Sequence, residues 1–475
     1  MNKLIVSIIT TVFFIAFCKA QTTVDIVLEN YKKDKDLQHA SYSFCILDAS
    51  TGKVIKEYNS ELGLVPASTL KIVTTSAALG ILGKDFTYKT DFKFSSDNSN
   101  ALIIEGKGDP SFNSSYFYDN DSVFYKPIIN KLKSKKILAI NSIYINTNYF
   151  DNKIPSSWIW ADIGNYFGAG ATGLSYKDNK FSLFYNSKEL NTKATLTKIK
   201  PDYFSDKIIV DSDILAFGTG DEAYVYGDPN SYKRLVSGSI PPNKTNYEIE
   251  AQMPEPQEFF KYEFGSILKQ NNIAISATKN NVTTLDDISK NAQTIYTHIS
   301  PKLEKIVYFT NVKSDNHYAE SLLNTLGAIK SGKQGTSENG IETVTNFWKE
   351  RGIDVSGLHM VDGSGLSRAN TITTKIQATI LSKIYRDSSL YKPFNASLPI
   401  AGKNGSMASL CKGTFAENNL RAKTGYINRA RGYCGYVKTK SGKELAFSVL
   451  FNNYDCSAKE MKLKIEKLLV ALVDL

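Results

Sequence analysis

Apolar and polar positions recur with different periods along the chain, and the changes of period divide it. Residues 4–17 (LIVSIITTVFFIAF) are uncharged and mostly apolar, with Lys3 before them and Cys18-Lys19-Ala20 after. That run is short for a bilayer span and ends in small residues, so it predicts a secretory signal over 1–20, cleaved ahead of Gln21. From Ser41, SYSFCILDASTGKVIKEYN places two strand-like runs around an Asp-Ala-Ser-Thr-Gly turn, a hairpin pattern. Apolar residues at 70, 73, 77 and 81, opened by Pro66, then follow helical spacing. From about residue 86 to 290 the chain alternates (YKTDFKF, ALIIEG) between Asn/Ser/Asp-rich turns with few helical periods, so this middle third is expected to be β-rich. Helical spacing returns in LEKIVYFTNV, YAESLLNTLGAI, IETVTNFWKERG and TTKIQATILSKIY. RGYCGYVKTKSGKELAFSVLF alternates around Lys-Ser-Gly, and KEMKLKIEKLLVALV closes the chain as a helix. Strands at both ends with helices between them imply an α/β (α+β) domain whose sheet is built from the two chain ends, the β-rich middle being an insertion.

Composition narrows the function classes. Removing the signal leaves 475 − 20 = 455 residues, and the loss of Lys3 and Lys19 lowers the formal charge from +10 to +8. A chain of that size predicts about three domains. The charge is weak for its length, and no Lys/Arg block is interleaved with aromatics, so no nucleic-acid groove is expected. A mild attraction to anionic envelope polymers is as much as it supports. No later stretch is long and apolar enough for a stable membrane span, so a periplasmic or secreted protein is expected. Cys45, Cys411, Cys434 and Cys456 are too widely spaced for a small disulfide scaffold or a zinc knuckle, and whether any of them pair is left open. The four histidines are scattered, with no HExxH, so neither a metal nor a cofactor is expected.

Candidate chemistry begins at PASTLKIVTTSAALG, where Ser68 and Lys71 stand three apart at the start of a helix and therefore share a face. A serine hydroxyl needs an adjacent base to become a nucleophile, and lysine can be that base when burial keeps it partly neutral. Ser50-x-x-Lys53 and Ser276-x-x-Lys279 have the same spacing, but the first lies in a hairpin turn and the second runs into poor helix. Taken alone, a serine capping a helix and a lysine reaching solvent would account for the pair equally well. Two further triplets follow in order: Ser314-Asp315-Asn316 between two predicted helices, and Lys423-Thr424-Gly425 at the start of a predicted strand. Each alone is an ordinary turn composition; the ordered set, each member at an element edge, is what points to chemistry.

These three motifs resemble the S-x-x-K, S-D-N and K-T-G signature of the serine penicillin-recognising enzymes. The long gap from Ser68 to Ser314 is similar to that of the exported D-alanyl-D-alanine carboxypeptidase/endopeptidase family of penicillin-binding proteins. GKGDPSF (106–112), WIWADIGNYFGAGATGL (158–174), VDGSGLSRAN (361–370) and LPIAGKNGSM (398–407) match the same family. The resemblance implies a transpeptidase-like catalytic domain from 21–88 and 292–475, with an inserted β-rich region at 89–291 and a smaller nested unit near 110–155. It implies Ser68 as the acylated nucleophile and Lys71 as its general base, with Ser314, Asn316 and Lys423 as a second proton-relay and positioning group. Thr424 would bind the terminal carboxylate of the peptide. Gly425 belongs to the same substrate-binding strand, and the backbone N–H groups of Ser68 and Tyr426 would form the oxyanion hole. Asp162 would bind the free amine of a diamino acid, while Asp362 and Arg368 would support the cleft. Glu320, in ESLLN, directly follows Ser314-Asp315-Asn316 on a predicted helix and is expected to pack. Peptidoglycan stem peptides are the implied substrate, with β-lactams as inhibitors. A non-catalytic envelope protein that keeps the fold to bind peptidoglycan is the rival, against which the intact lysines count.

Overall fold

The computed structural model describes residues 23–95, 100–276 and 292–475; the expected signal segment lies outside them. The two ends of the chain meet in one five-stranded antiparallel sheet, in the order Arg421–Ile427, Ala430–Lys438, Glu444–Asn452, Ser41–Asp48, Val54–Tyr58. Ser41 pairs with Asn452, so the first strand of the hairpin is central rather than marginal. Its run is almost wholly buried because both faces are covered. Tyr42, Phe44 and Ile46 join the core beneath the terminal helices Thr23–Lys33 and Ala458–Ala471. Cys45 and Leu47 meet Ala378 of the helix Thr374–Arg386 on the opposite face, following the two-residue period of a strand.

Behind the sheet, the helix Lys71–Leu82 is buried at every position from Lys71 to Leu79. A helix apolar on all sides needs neighbours on all sides. Leu303–Val312, Asn316–Ser331, Ser337–Glu350 and Ser388–Ser397 supply them around a core that contains Val73, Ala77, Leu322, Phe394 and Trp348.

The middle of the chain leaves and returns side by side. Lys89–Ser95 pairs antiparallel with Gln293–Ile299, inside a four-stranded sheet completed by Ala101–Glu105 and Ser142–Asn146. Two three-stranded sheets extend it: Tyr247–Gln252, Lys180–Asn186, Thr195–Lys200, and Tyr224–Tyr226, Lys233–Ile240, Ile209–Ala216. Against the expectation of few helical periods, two long helices also lie here, Asp121–Ser134 and Pro256–Gln270. Their buried residues, Phe124/Ile128/Leu132 and Phe260/Phe264/Leu268, do recur at four-residue steps, but Pro127 and the flanking Lys and Asn residues mask the first of them. Within 110–155, the helix Asp121–Ser134 shares the core of the whole insertion, and Ser142–Asn146 is an edge of its four-stranded sheet. All four cysteines in the described residues are free thiols, three of them buried.

Candidate active site

Ser68 lies in a single 3-10 turn, Ala67–Leu70, whose end passes directly into the helix that begins at Lys71. Ala67 is held at φ 46°, a left-handed conformation that costs an L-residue roughly 1–3 kcal/mol and persists only where the surroundings enforce it. The surroundings are two glycines from distant segments. A Cβ at Gly365 would sit 1.9 Å from the Ala67 carbonyl oxygen, and one at Gly425 would sit 2.5 Å from that of Pro66 and 3.0 Å from the Ser68 nitrogen. Only glycine permits these approaches, and Gly425 thereby brings the strand Arg421–Ile427 against the backbone of Ser68.

The side chains converge as the helical spacing predicts. Lys71 Nζ is 2.9 Å from Ser68 Oγ, 2.6 Å from Asn316 Oδ1 and 2.8 Å from the Ser364 carbonyl oxygen. Lys423 Nζ is 2.8 Å from Ser314 Oγ and 2.8 Å from the Thr424 carbonyl oxygen. Both lysines are fully buried. Burial pushes Lys71 down to about 8 against the opposing pull of Asp362, Glu320 and Asp315. Burial, and then the charge of Lys71, holds Lys423 well below the ordinary lysine range. Ser314 itself is left-handed, at φ 60°, in the sharp turn between two helices, and Asp315 caps the second by accepting the Tyr318 N–H.

Above this pair of lysines opens a cavity of about 600 Å³, lined by residues of both halves of the fold. Ser68, Ser314, Asn316, Tyr426 and Asp162 line it, as do Lys180 and Arg368. Asp162 sits in the four-residue helix Trp160–Ile163; burial raises its carboxyl, partly offset by Arg368. No side chain among the described residues donates a hydrogen bond to it at normal length. Thr424 Oγ1 is 2.7 Å from Ser406 Oγ, a partner from the LPIAGKNGSM stretch. Of the residues expected at the site from the sequence, Lys71 and Lys423 reach the lining through Ser68 and Ser314, Gly425 lies against the Ser68 backbone, and Thr424 is turned to Ser406.

Several groups at the site had no readable signal. The Ser364 and Phe167 carbonyls bind Lys71 and Asn316 Nδ2 respectively, the latter at 2.7 Å, and a backbone carbonyl leaves no trace in the residue types around it. Glu320 differs from the expectation of simple packing. Fully enclosed, it accepts the Ser364 N–H at 2.8 Å and the Gly363 N–H at 3.0 Å, so it fixes the two peptides just before the Ser364 carbonyl that holds Lys71. Burial and Asp362 push its carboxyl upward. Asp362 accepts hydrogen bonds from Trp158 Nε1, the Gly365 and Ser367 N–H groups and Asn370 Nδ2, at 2.7–3.0 Å. Lys180 is 3.6 Å from Asp315 and lies over the Tyr166 ring, a cation held by a carboxylate at the cavity floor.

The chain is similar to known proteins over most of its length. A D-alanyl-D-alanine carboxypeptidase of Actinomadura sp. (strain R39) is 25% identical over 455 residues, covering 91% of this chain and 80% of its own. The crystal structure of penicillin binding protein 4 from Haemophilus influenzae has a TM-score of 0.76 at 20% identity, covering 94% of this chain and 98% of that one. The same protein complexed with a β-lactam gives 0.70 at 18% identity, with the same coverage. A predatory peptidoglycan endopeptidase from Bdellovibrio bacteriovorus gives 0.50 at 19% identity, covering 91% and 92%. At these identities the structural likeness establishes a penicillin-binding-protein fold. The model of the D-Ala-D-Ala carboxypeptidase 3 (S13) family matches residues 24–473, and the chain belongs to that family of serine peptidases.

Proposed function

We propose that this peptidase cleaves peptidoglycan stem peptides through an acyl-enzyme on Ser68, as a D-Ala-D-Ala carboxypeptidase, a cross-link endopeptidase or both, in the periplasm or outside the cell. The observation that supports this most directly is the shell around Lys71. A neutral lysine amine has two N–H donors and one lone pair. The Asn316 and Ser364 oxygens take the two donors, which leaves the lone pair facing Ser68 Oγ at 2.9 Å, within reach of its proton. Ser68 Oγ then attacks the D-Ala carbonyl while its proton passes to Lys71. Ser314, hydrogen-bonded to Lys423, stands where a proton can be handed to the departing amine. Thr424 and Lys423 attract the terminal carboxylate, and the Ser68 and Tyr426 N–H groups receive the developing oxyanion, an arrangement in which one donor is worth about 10²–10³ in rate. Water releases the acyl group. Asp162, with a free carboxylate in the cavity, binds the amine of the stem's diamino acid.

A fold kept only for binding is disfavoured by energetics: the buried Lys71 amine costs stability and, engaged by Ser68, Asn316 and the Ser364 carbonyl, recognises no ligand. The binding of a β-lactam by the Haemophilus influenzae relative supports penicillin as a probe. The intact mass of the protein with excess benzylpenicillin should rise by one stable adduct, absent in Ser68→Ala. No adduct and no drug hydrolysis from folded protein would refute the acyl-enzyme. Muropeptide analysis after incubation with sacculi separates loss of terminal D-Ala from loss of cross-links.

A further inference from the structure

We propose that a row of aromatic rings leading out of the cavity, exposed Tyr224, half-buried Tyr226 and exposed Trp160, binds the glycan strand to which the stem peptide is attached; this rests on the peptidoglycan reading above. Trp160 is 58% exposed and Tyr224 43% exposed, although burying rings of this size is worth several kcal/mol elsewhere in the fold. Successive ring centroids are 6.4 Å and 6.3 Å apart, with the planes of Trp160 and Tyr226 within 29° of each other.

The row is rigidly founded. Trp160 opens the four-residue helix that also contains Asp162, and this helix is pressed onto the strand Tyr224–Tyr226: a Cβ at Gly164 would lie 2.3 Å from the Val225 carbonyl oxygen. Buried Asn165 accepts the Val225 N–H at 2.9 Å and locks the two together. Rings on a fixed frame lose little entropy on binding. The row is also continuous with the site. Tyr224 and Asp162 line the cavity, and the phenol of Tyr224 is raised by burial and by the nearby Tyr426, Asp162 and Glu222.

A sugar ring offers a C–H face to an aromatic face and hydroxyls at its edge. The structure answers the first with the ring row and the second with the Glu222 carboxylate at the cavity wall, Asp162 being taken by the diamino acid. The occupant follows from connectivity. A stem peptide held at Ser68 is covalently joined at its other end to sugar, so the polymer has to pass over the cavity rim.

The test uses Trp160→Ala and Tyr226→Ala, both outside the proposed machinery. Of the three tryptophans, Trp158 and Trp348 are buried, so Trp160 reports on the surface alone. Peptide-free glycan strands should shift wild-type tryptophan emission, with no shift in Trp160→Ala. Both variants should acylate with benzylpenicillin and cleave a sugar-free stem peptide at the wild-type rate, while affinity for sacculi falls about tenfold, the loss expected for one aromatic contact. An unshifted spectrum with unchanged sacculus binding overturns the proposal. So does an equal loss on the sugar-free peptide, which would assign the row to peptide, or a concentration-dependent dimer in sedimentation that the variants abolish. Failure of the wild type to acylate would refute the acyl-enzyme instead, since glycan binding is read without it.

Discussion

At the scale of single residues, the chemistry depends on how readily two buried amines give up a proton. With Lys71 as the base, acylation proceeds from its deprotonated form, so the benzylpenicillin acylation rate should rise with pH along a limb near pH 8, where burial places the amine. A limb at ordinary carboxylate pH, with none near 8, would remove Lys71 from that role. Glu320 acts one peptide away. Glu320→Leu keeps most of the volume but removes the one oxygen that accepts both the Gly363 and the Ser364 N–H, which loosens the loop that aims the Ser364 carbonyl at Lys71. Acylation should fall about 10- to 100-fold, as small misplacements of catalytic groups do, while circular dichroism stays native. An unchanged rate would return Glu320 to packing. Ser68 and Lys71 were legible because a three-residue step on a helix is a geometric statement. Glu320 was not, because its partners are backbone groups of a loop 43 residues away.

At the scale of elements, the site is a meeting of one turn, one interhelical corner and one strand, and close backbone contact holds the meeting together. Gly425→Ala places a methyl against the Pro66 carbonyl and the Ser68 nitrogen. The strand must retreat, and acylation should drop by about 100-fold or more with the fold retained, because the oxyanion donors move apart. A variant that acylates normally would show that the strand can shift without moving those donors. The hairpin, five of the six helices after residue 300 and the closing strand pair were legible from periodicity, while Ser388–Ser397, with Pro393 inside it, was not. The helices Asp121–Ser134 and Pro256–Gln270 were not. An internal Pro127 weakens the first, and the aromatic pairs Phe259-Phe260 and Phe124-Tyr125 are as compatible with a strand as with a helix.

At the scale of the whole molecule, the insertion has a core of its own yet is tied to the catalytic helices by buried polar contacts. Trp158 Nε1 donates to Asp362 at 3.0 Å, Ser175 Oγ lies 2.7 Å from His317 Nε2, Tyr318 OH donates to Ser114 at 2.8 Å, and Asn316 to the Phe167 carbonyl. Separating the halves would exchange these bonds for bonds to water, at a net loss of about 0.5–1.5 kcal/mol each, and would expose the apolar surface packed around them. Calorimetry should therefore give one unfolding transition, moved upward as a whole when benzylpenicillin occupies Ser68. Two transitions, only one of which responds to the drug, would mean that the halves unfold independently.

The position of Ser41–Asp48 between Val54–Tyr58 and Glu444–Asn452 has a consequence in time. A ribosome makes the nucleophile turn early and the strand bearing Lys423 late, and the sheet that presses one against the other is missing a central neighbour until residue 452 is in place. The contiguous insertion can condense before the last strands arrive; the catalytic half cannot. Hydrolytic competence is thus the last property the chain acquires, and a polypeptide interrupted before Glu444 carries Ser68 and Lys71 without the sheet that holds the Lys423 strand against them.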